Sequence, residues 1–203
     1  MRSQLLGKRR CAWTRTVGAV RLTLIRHGST EWNALRRFQG RTNMPLSAHG
    51  RVQARAIAEE LHSESFDRIY SSNLARAAET ARILGESSGA EVVVDDRLQE
   101  FDFGRWEGLT WDEIVAAYPH LTGLGSTAAK LYAPEGGESF TQVCERATSF
   151  LDDLKRQDFA AAAVVTHAGV LHAIFAVLGL APPERFTPGG ITRIALERGD
   201  GAA

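Results

Sequence analysis

Val20-Arg21-Leu22-Thr23-Leu24-Ile25, followed at once by Arg26-His27-Gly28, is the stretch that decides the fold class. Alternation at its start passes into continuous apolarity, the pattern of a strand buried on most of its length. Ala161 to Thr166 is a second fully apolar run, and it too stops at a histidine turn, His167-Ala168-Gly169. Strands of this kind need helices over both faces of the sheet. The turns that end them fall where ligands of such sheets collect, at the carboxyl ends of the strands.

Working outward, the remaining segments supply the helices and further strands. Ser47 is a candidate N-cap for a helix carrying Ala54, Ile57, Ala58 and Leu61 on one face. Phe66 to Ser71 reads as a short strand, Leu74 to about Leu84 as a helix of good formers, and Val92-Val93-Val94 as a third strand. A helix is expected near Thr110–Tyr118. Another is expected over Ser139–Leu154, where Phe140, Val143, Ala147, Phe150, Leu151 and Leu154 recur near helical spacing. Val170–Leu178 is an apolar helix and Ile191–Leu196 a final strand. Strands alternating with helices predict an α/β fold: a three-layer α/β/α single domain with a largely parallel sheet.

Two loops stand out. The polar segment after His27 runs to Pro45, and Pro119–Gly137, with its Pro and Gly residues and little periodicity, is a candidate lid. Selectivity is expected to come from both, with Leu121, Leu124, Leu131 and Tyr132 as candidates for an apolar wall. Residues 1–19 carry five basic residues without regular periodicity and read as an extension, disordered or a start-site artefact. Their charges follow the only short apolar pair, which is the wrong order for a signal peptide.

Composition narrows the function classes. Twenty-four basic against 24 acidic residues give zero formal charge, so no whole-chain field draws nucleic acid or an acidic membrane. No apolar stretch is long enough to span a bilayer. The only cysteines, Cys11 and Cys144, are far apart in sequence and form neither a metal-type pair nor a disulfide framework, which suits the cytoplasm. A homodimer is compatible with the sequence, and the oligomeric state is open.

His27, His167, Arg26 and Arg76 carry the chemistry. Adjacent placement of the two apolar strands would bring both histidines together, and Arg76 falls near the start of a helix. Guanidinium forks match phosphate oxygens in pairs, and small residues after each histidine let backbone N–H groups approach the same oxygens. A neutral imidazole can attack phosphorus when its other nitrogen donates to a carbonyl. Glu100, beside Phe101, Phe103 and Trp106, is the candidate general acid, kept protonated by an apolar neighbourhood. Asp102 and Glu107 are nearby competitors that read as solvated loop charges.

The motif Leu24-Ile25-Arg26-His27-Gly28-Ser29-Thr30-Glu31-Trp32-Asn33 resembles the signature of the histidine phosphatase superfamily, the phosphoglycerate mutase-like enzymes. Three further blocks follow in order: Ser71–Ala81, Glu100 with Phe103–Gly108, and Thr166–Gly169. The resemblance implies that His27 is phosphorylated, that Arg26, Asn33, Gln39 and Arg76 hold phosphate, and that Glu100 and His167 complete the catalytic set. Ala168 joins the phosphate pocket at a position where the family frequently has glycine. Ser29 and His172 also depart from the commonest pattern, and His172 puts the surroundings of the substrate pocket in question.

The expected activity is hydrolysis of a small-molecule phosphomonoester through phosphohistidine, without metal or cofactor. The acid loop and Pro134–Ser139 look most like α-ribazole phosphatase and broad-specificity members. The alternatives are a cofactor-dependent phosphoglycerate mutase, disfavoured because a longer insertion is missing, and a non-catalytic protein that docks phosphorylated ligands. A metal site built from His27, His167 and Glu100 is disfavoured by the adjacent arginine charge. Trp32 and Trp106 read as packing residues, and His49, His62 and His120 as surface or packing residues. Gly85-Glu86-Ser87-Ser88-Gly89 matches the letters of a hydrolase nucleophile elbow but follows a helix, so it reads as a helix end.

Overall fold

The two apolar runs lie side by side. In the computed structural model, which describes residues 18–124 and 132–198, β1 (Ala19–Arg26) pairs in parallel with β4 (Ala161–Thr166), and Arg26 lies opposite Thr166. With β2 (Arg68–Ser71), β3 (Val92–Val94) and β5 (Ile191–Glu197) they form a five-stranded sheet of order β3-β2-β4-β1-β5. Only β5 runs antiparallel, against β1 at one edge.

Six α-helices are described: α1 (Glu31–Ala34), α2 (Ala48–Glu60), α3 (Ala75–Ser88), α4 (Trp111–Ala117), α5 (Phe140–Lys155) and α6 (Ala168–Val177). Period-two alternation sends the side chains of β1 and β4 into two separate cores. Leu22, Leu24, Ala162 and Val164 pack with Phe150, Leu151 and Leu154 of α5 and Leu171 and Ile174 of α6. Ile25, Ala163 and Val165 face the other way, onto Ile57 of α2 and Ala77, Ala81 and Leu84 of α3. Each fully buried aliphatic side chain contributes about 1.5–3 kcal/mol relative to exposure, and these two strands place such residues on both faces. The three-layer α/β/α arrangement follows from that double burial.

Boundaries moved where capping outweighs apolar pattern. α1 lies inside the segment read as polar loop; the capping box between Thr30 and Asn33 makes it, although no residue of the helix is buried. α6 starts at Ala168, two residues before its apolar run, because His167 is extended and serves as N-cap. α3 continues to Ser88 and stops at Gly89, whose φ of 74° is left-handed, so the false elbow motif is indeed a helix end. Phe66 is buried in the second core, but pairing starts only at Arg68.

In the candidate lid, Leu121 is buried in the first core while Leu124 and Tyr132 are exposed; Leu131, like residues 1–17, lies outside the described residues. No described helix is long and apolar enough to cross a membrane.

The turn after β1 is held by close backbone approach. A Cβ on Gly28 would lie 2.4 Å from the carbonyl oxygen of Gly50, and one on Gly50 would lie 2.0 Å from that of Ser29. α2 therefore presses its first turn against the His27 loop with no room for a methyl group. Gly28→Ala is expected to lower the unfolding free energy by about 1–3 kcal/mol in urea titration.

Candidate active site

In-register pairing of β1 with β4 sets the first distances. The backbone N–H of His27 donates to the Thr166 carbonyl at 3.0 Å, and the His27 and His167 rings lie 5.0 Å apart between centroids, tilted by 56°. Both side chains are buried, at 2% and 0% exposure. His27 Nδ1 lies 2.7 Å from the Gly28 carbonyl oxygen. A carbonyl only accepts, so Nδ1 carries the proton and Nε2 keeps its lone pair. Burial, reinforced by the charges of Arg26 and Arg76, holds the imidazole well below its ordinary pKa, against the opposing pull of the Gly28 hydrogen bond. His27 is thus a neutral imidazole of defined tautomer at neutral pH, with the Nε2 lone pair free of a proton.

Arg26 and Arg76 are fixed by carbonyl groups rather than by carboxylates. Arg26 Nη1 donates to the Phe186 carbonyl at 2.6 Å. Arg76, fully buried in the first turn of α3, donates through Nη2 to Gly40 at 2.7 Å and through Nη1 to Thr42 at 2.9 Å. Burial lowers the pKa of both, that of Arg76 to about 10, with Glu100 opposing, so Arg76 stays cationic at neutral pH. Carbonyls orient the forks without neutralising them. Nε of each arginine is buried without a protein partner among the described residues, as are Oε1 of Gln39 and both ring nitrogens of His167.

Glu107 explains how the carbonyls are held. Its Oε1 accepts from the Arg41 N–H at 2.8 Å and its Oε2 from the Thr42 N–H at 2.9 Å, which clamps the loop that faces Arg76. A Cβ on Gly40 would lie 1.9 Å from Glu107 Oε1. The expectation of a solvated charge at Glu107 is therefore corrected. Asp102 likewise has partners, its Oδ1 accepting from the Gly104 N–H at 2.9 Å.

Glu100 is positioned by two helices. Its Oε1 accepts from the Phe101 N–H at 2.9 Å and the Gly169 N–H at 3.1 Å, so the carboxylate sits against the first turn of α6. A Cβ at Gly169 would lie 2.4 Å from that oxygen. From α5, Arg146 donates to the carbonyls of Arg97, Gln99 and Glu100 at 2.6, 2.5 and 3.2 Å, while its partner Glu138 accepts from the Asp102 N–H at 3.0 Å. Backbone donors, not the aromatic neighbours, are the direct partners of the carboxylate.

Arg26, His27, Asn33, Gln39, Arg76, Glu100 and Ala168 all line one cavity of about 750 Å³. His167 lies outside that lining and supports His27 from the adjacent strand end. Asn33 does what a loop-stabilising residue would do, its Oδ1 accepting from the Thr30 N–H at 2.9 Å, and it also borders the cavity. Ala168, first residue of α6, presents an N–H that has no acceptor within its own helix. Trp106 packs in the core as expected, whereas Trp32 lines the cavity. His172 packs edge-on against Phe186 at 4.9 Å between centroids, behind the carbonyl that holds Arg26.

Sequence reasoning missed Arg36, Trp111, Asp112 and Arg185, which line the outer cavity. The described part of the candidate lid contributes no lining residue. Arg36 carries a signal of its own. It has φ 54°, the only positive φ among described non-glycine residues, and it ends α1 in a Schellman motif: its N–H donates to Asn33 at 3.2 Å and that of Arg37 to Trp32 at 2.9 Å. Glycine is the usual residue there, and an arginine costs about 1–2 kcal/mol.

Comparison with known proteins decides the family. The model of the histidine phosphatase superfamily (branch 1) matches residues 22–202. The chain belongs to this superfamily. It is 40% identical over 166 residues to glucosyl-3-phosphoglycerate phosphatase of Mycolicibacterium vanbaalenii, covering 78% of this chain and 73% of that one. It is 34% identical over 160 residues to phosphoserine phosphatase 1 of Hydrogenobacter thermophilus, covering 78% and 76%. Among solved structures, an Escherichia coli protein proposed to be an alpha-ribazole-5'-P phosphatase matches with TM-score 0.75 at 29% identity, covering 89% of this chain and 96% of that one. Like these relatives, this histidine phosphatase is expected to act on a small phosphorylated metabolite.

Neutral burial of the two histidines has a thermodynamic signature. Both have native pKa values well below the usual imidazole value near 6.5, His167 through burial and then the charge of Arg76. The unfolded chain therefore takes up protons that the native state refuses, and stability falls as pH drops below about 6.5. Relative to His27→Asn/His167→Asn, the wild type should lose up to about 2.7 kcal/mol more per pH unit between pH 6 and 5, measured by urea unfolding.

Proposed function

We propose that the protein hydrolyses a small phosphomonoester in the cytoplasm in two steps through phosphohistidine at His27. The observation that carries this reading is the 2.7 Å contact of His27 Nδ1 with the Gly28 carbonyl, which reserves Nε2 for attack in a cavity shared with Arg26 and Arg76. Nε2 forms the bond to phosphorus as the ester oxygen leaves, and Glu100 delivers a proton to that oxygen. The product alcohol departs. Glu100 then takes a proton from water, the water oxygen attacks phosphorus, the N–P bond breaks, and phosphate is released.

Arg26 and Arg76 hold the phosphoryl oxygens through both steps, where charge stabilisation supplies most of the rate enhancement. Asn33, Gln39 and the Ala168 N–H add neutral donors. His167, neutral and without a protein partner on either ring nitrogen among the described residues, donates to the phosphoryl group once it is on His27. The cluster of buried polar atoms without partners among the described residues supports the same conclusion, since buried polar atoms ordinarily meet a hydrogen-bond partner.

Purified protein should release phosphate from p-nitrophenyl phosphate and from alkyl phosphates, with chelator present. His27→Ala should abolish release. Glu100→Gln should lower kcat/KM, which reports the first phosphoryl transfer alone, about 100-fold or more on an alkyl phosphate, whose alkoxide needs a proton, and much less on p-nitrophenyl phosphate, whose leaving group does not. Equal losses on both esters would count against Glu100 as the acid, and wild-type inactivity on every ester would count against the phosphatase reading.

A further inference from the structure

We propose that Thr80 is a positioning residue for the nucleophile: its hydroxyl fixes the backbone of Gly28, and through the Gly28 carbonyl it decides which nitrogen of His27 carries the proton. The inference rests on the phosphatase reading and deepens it. α3 buries Ala77, Ala81, Leu84 and Gly85, and beside these apolar residues only Arg76 and Thr80 are polar. Arg76 serves the phosphoryl group. Thr80 lies one turn further along the same face, is 0% exposed and does not line the cavity. Threonine inside a helix gives up propensity relative to alanine, and a buried hydroxyl is unfavourable unless it is hydrogen-bonded.

The hydroxyl is used twice. It donates to the Arg76 carbonyl at 2.8 Å, and its oxygen accepts from the buried Gly28 N–H at 3.2 Å. Gly28 carries the chain onward, its carbonyl accepting from His27 Nδ1 at 2.7 Å. Glycine is required at 28 because a Cβ would lie 2.4 Å from the Gly50 carbonyl oxygen, yet a glycine backbone has more than one conformation open to it. The first turn of α2 confines Gly28 by contact, and Thr80 on α3 adds the directional bond that selects the conformation facing Nδ1. A valine of the same shape would leave the buried Gly28 N–H without an acceptor, and the backbone would turn to find one. The carbonyl then leaves Nδ1, and the proton can move to Nε2, where it blocks the lone pair that attacks phosphorus. The guanidinium groups of Arg26 and Arg76 lie outside this route, held by the carbonyls of Phe186, Gly40 and Thr42.

Nitrogen-15 NMR of the histidine rings reads the tautomer of His27, and kcat/KM on p-nitrophenyl phosphate reads its attack on phosphorus. In the wild type His27 should be the Nδ1–H tautomer. Thr80→Val should mix in the Nε2–H form and lower kcat/KM about tenfold, in step with the lost Nδ1–H population, while the Ki of inorganic phosphate does not rise. Thr80→Ser, which keeps the hydroxyl, should restore both readouts. Thr80→Ala should repeat the valine result, and it decides the matter if the valine variant does not fold. Leu84→Val, on the same buried face, should lower Tm without moving the tautomer or kcat/KM. An unmixed tautomer or wild-type kcat/KM in the folded valine or alanine variant would overturn the inference alone. So would a loss that serine does not restore, or one matched by a rise in the phosphate Ki. Wild-type failure to release phosphate from any ester would overturn the phosphatase reading, and the tautomer comparison would still decide whether Thr80 places the proton on His27.

Discussion

The register of β1 against β4, with Arg26 opposite Thr166, is the constraint on which the site depends. Both strands are apolar on both faces, so both occupy the middle of the sheet, and ending them at the same level brings His27 and His167 within ring contact. A one-residue slip would exchange the two faces of a strand and bury its arginine end in a core. Packing therefore fixes the relative placement of His27 and His167 before any polar contact does.

Polar contacts then decide what the histidine can do. The Gly28 carbonyl accepts a hydrogen bond from Nδ1, burial and then the charges of Arg26 and Arg76 keep the ring neutral, and the carbonyls of Gly40, Thr42 and Phe186 aim those arginines. Apart from Glu100, the carboxylates that organise the site lie one layer out: Glu107 grips the loop that carries two of those carbonyls, and the Arg146–Glu138 pair grips the segment that carries Glu100. Pairing the arginines directly would have cancelled the charge a phosphoryl group needs. Glycine at 28, 40 and 169 allows these close approaches, because a Cβ at each would lie within 2.4 Å of an oxygen.

Sequence alone revealed the part of this that depends on periodicity and strand ends. Continuous apolarity in Leu22–Ile25 and Ala161–Val165 exposed both central strands, and the turns after them marked His27 and His167. Arg76 and Glu100 were legible from the resemblance of their motifs. What stayed hidden depends on long-range contacts. Glu107 looked like a loop charge because its partners, Arg41 and Thr42, lie more than 60 positions away, at backbone N–H groups that no residue type announces. α1 was missed because a capping box builds it without a buried residue. Arg36 and Arg185 reach the cavity from separate loops, and only the left-handed backbone at Arg36 reveals anything local.

The central claim is that the phosphoryl group is carried on a particular nitrogen of a particular histidine, because Gly28 occupies the other one. Rapid mixing with substrate, denaturing quench at alkaline pH and phosphorus NMR of the trapped phosphoenzyme, with peptide mapping, measures this directly. A phosphoramidate on Nε2 of His27 is the predicted result. Phosphorylation on Nδ1, on another residue, or none during turnover would contradict the account.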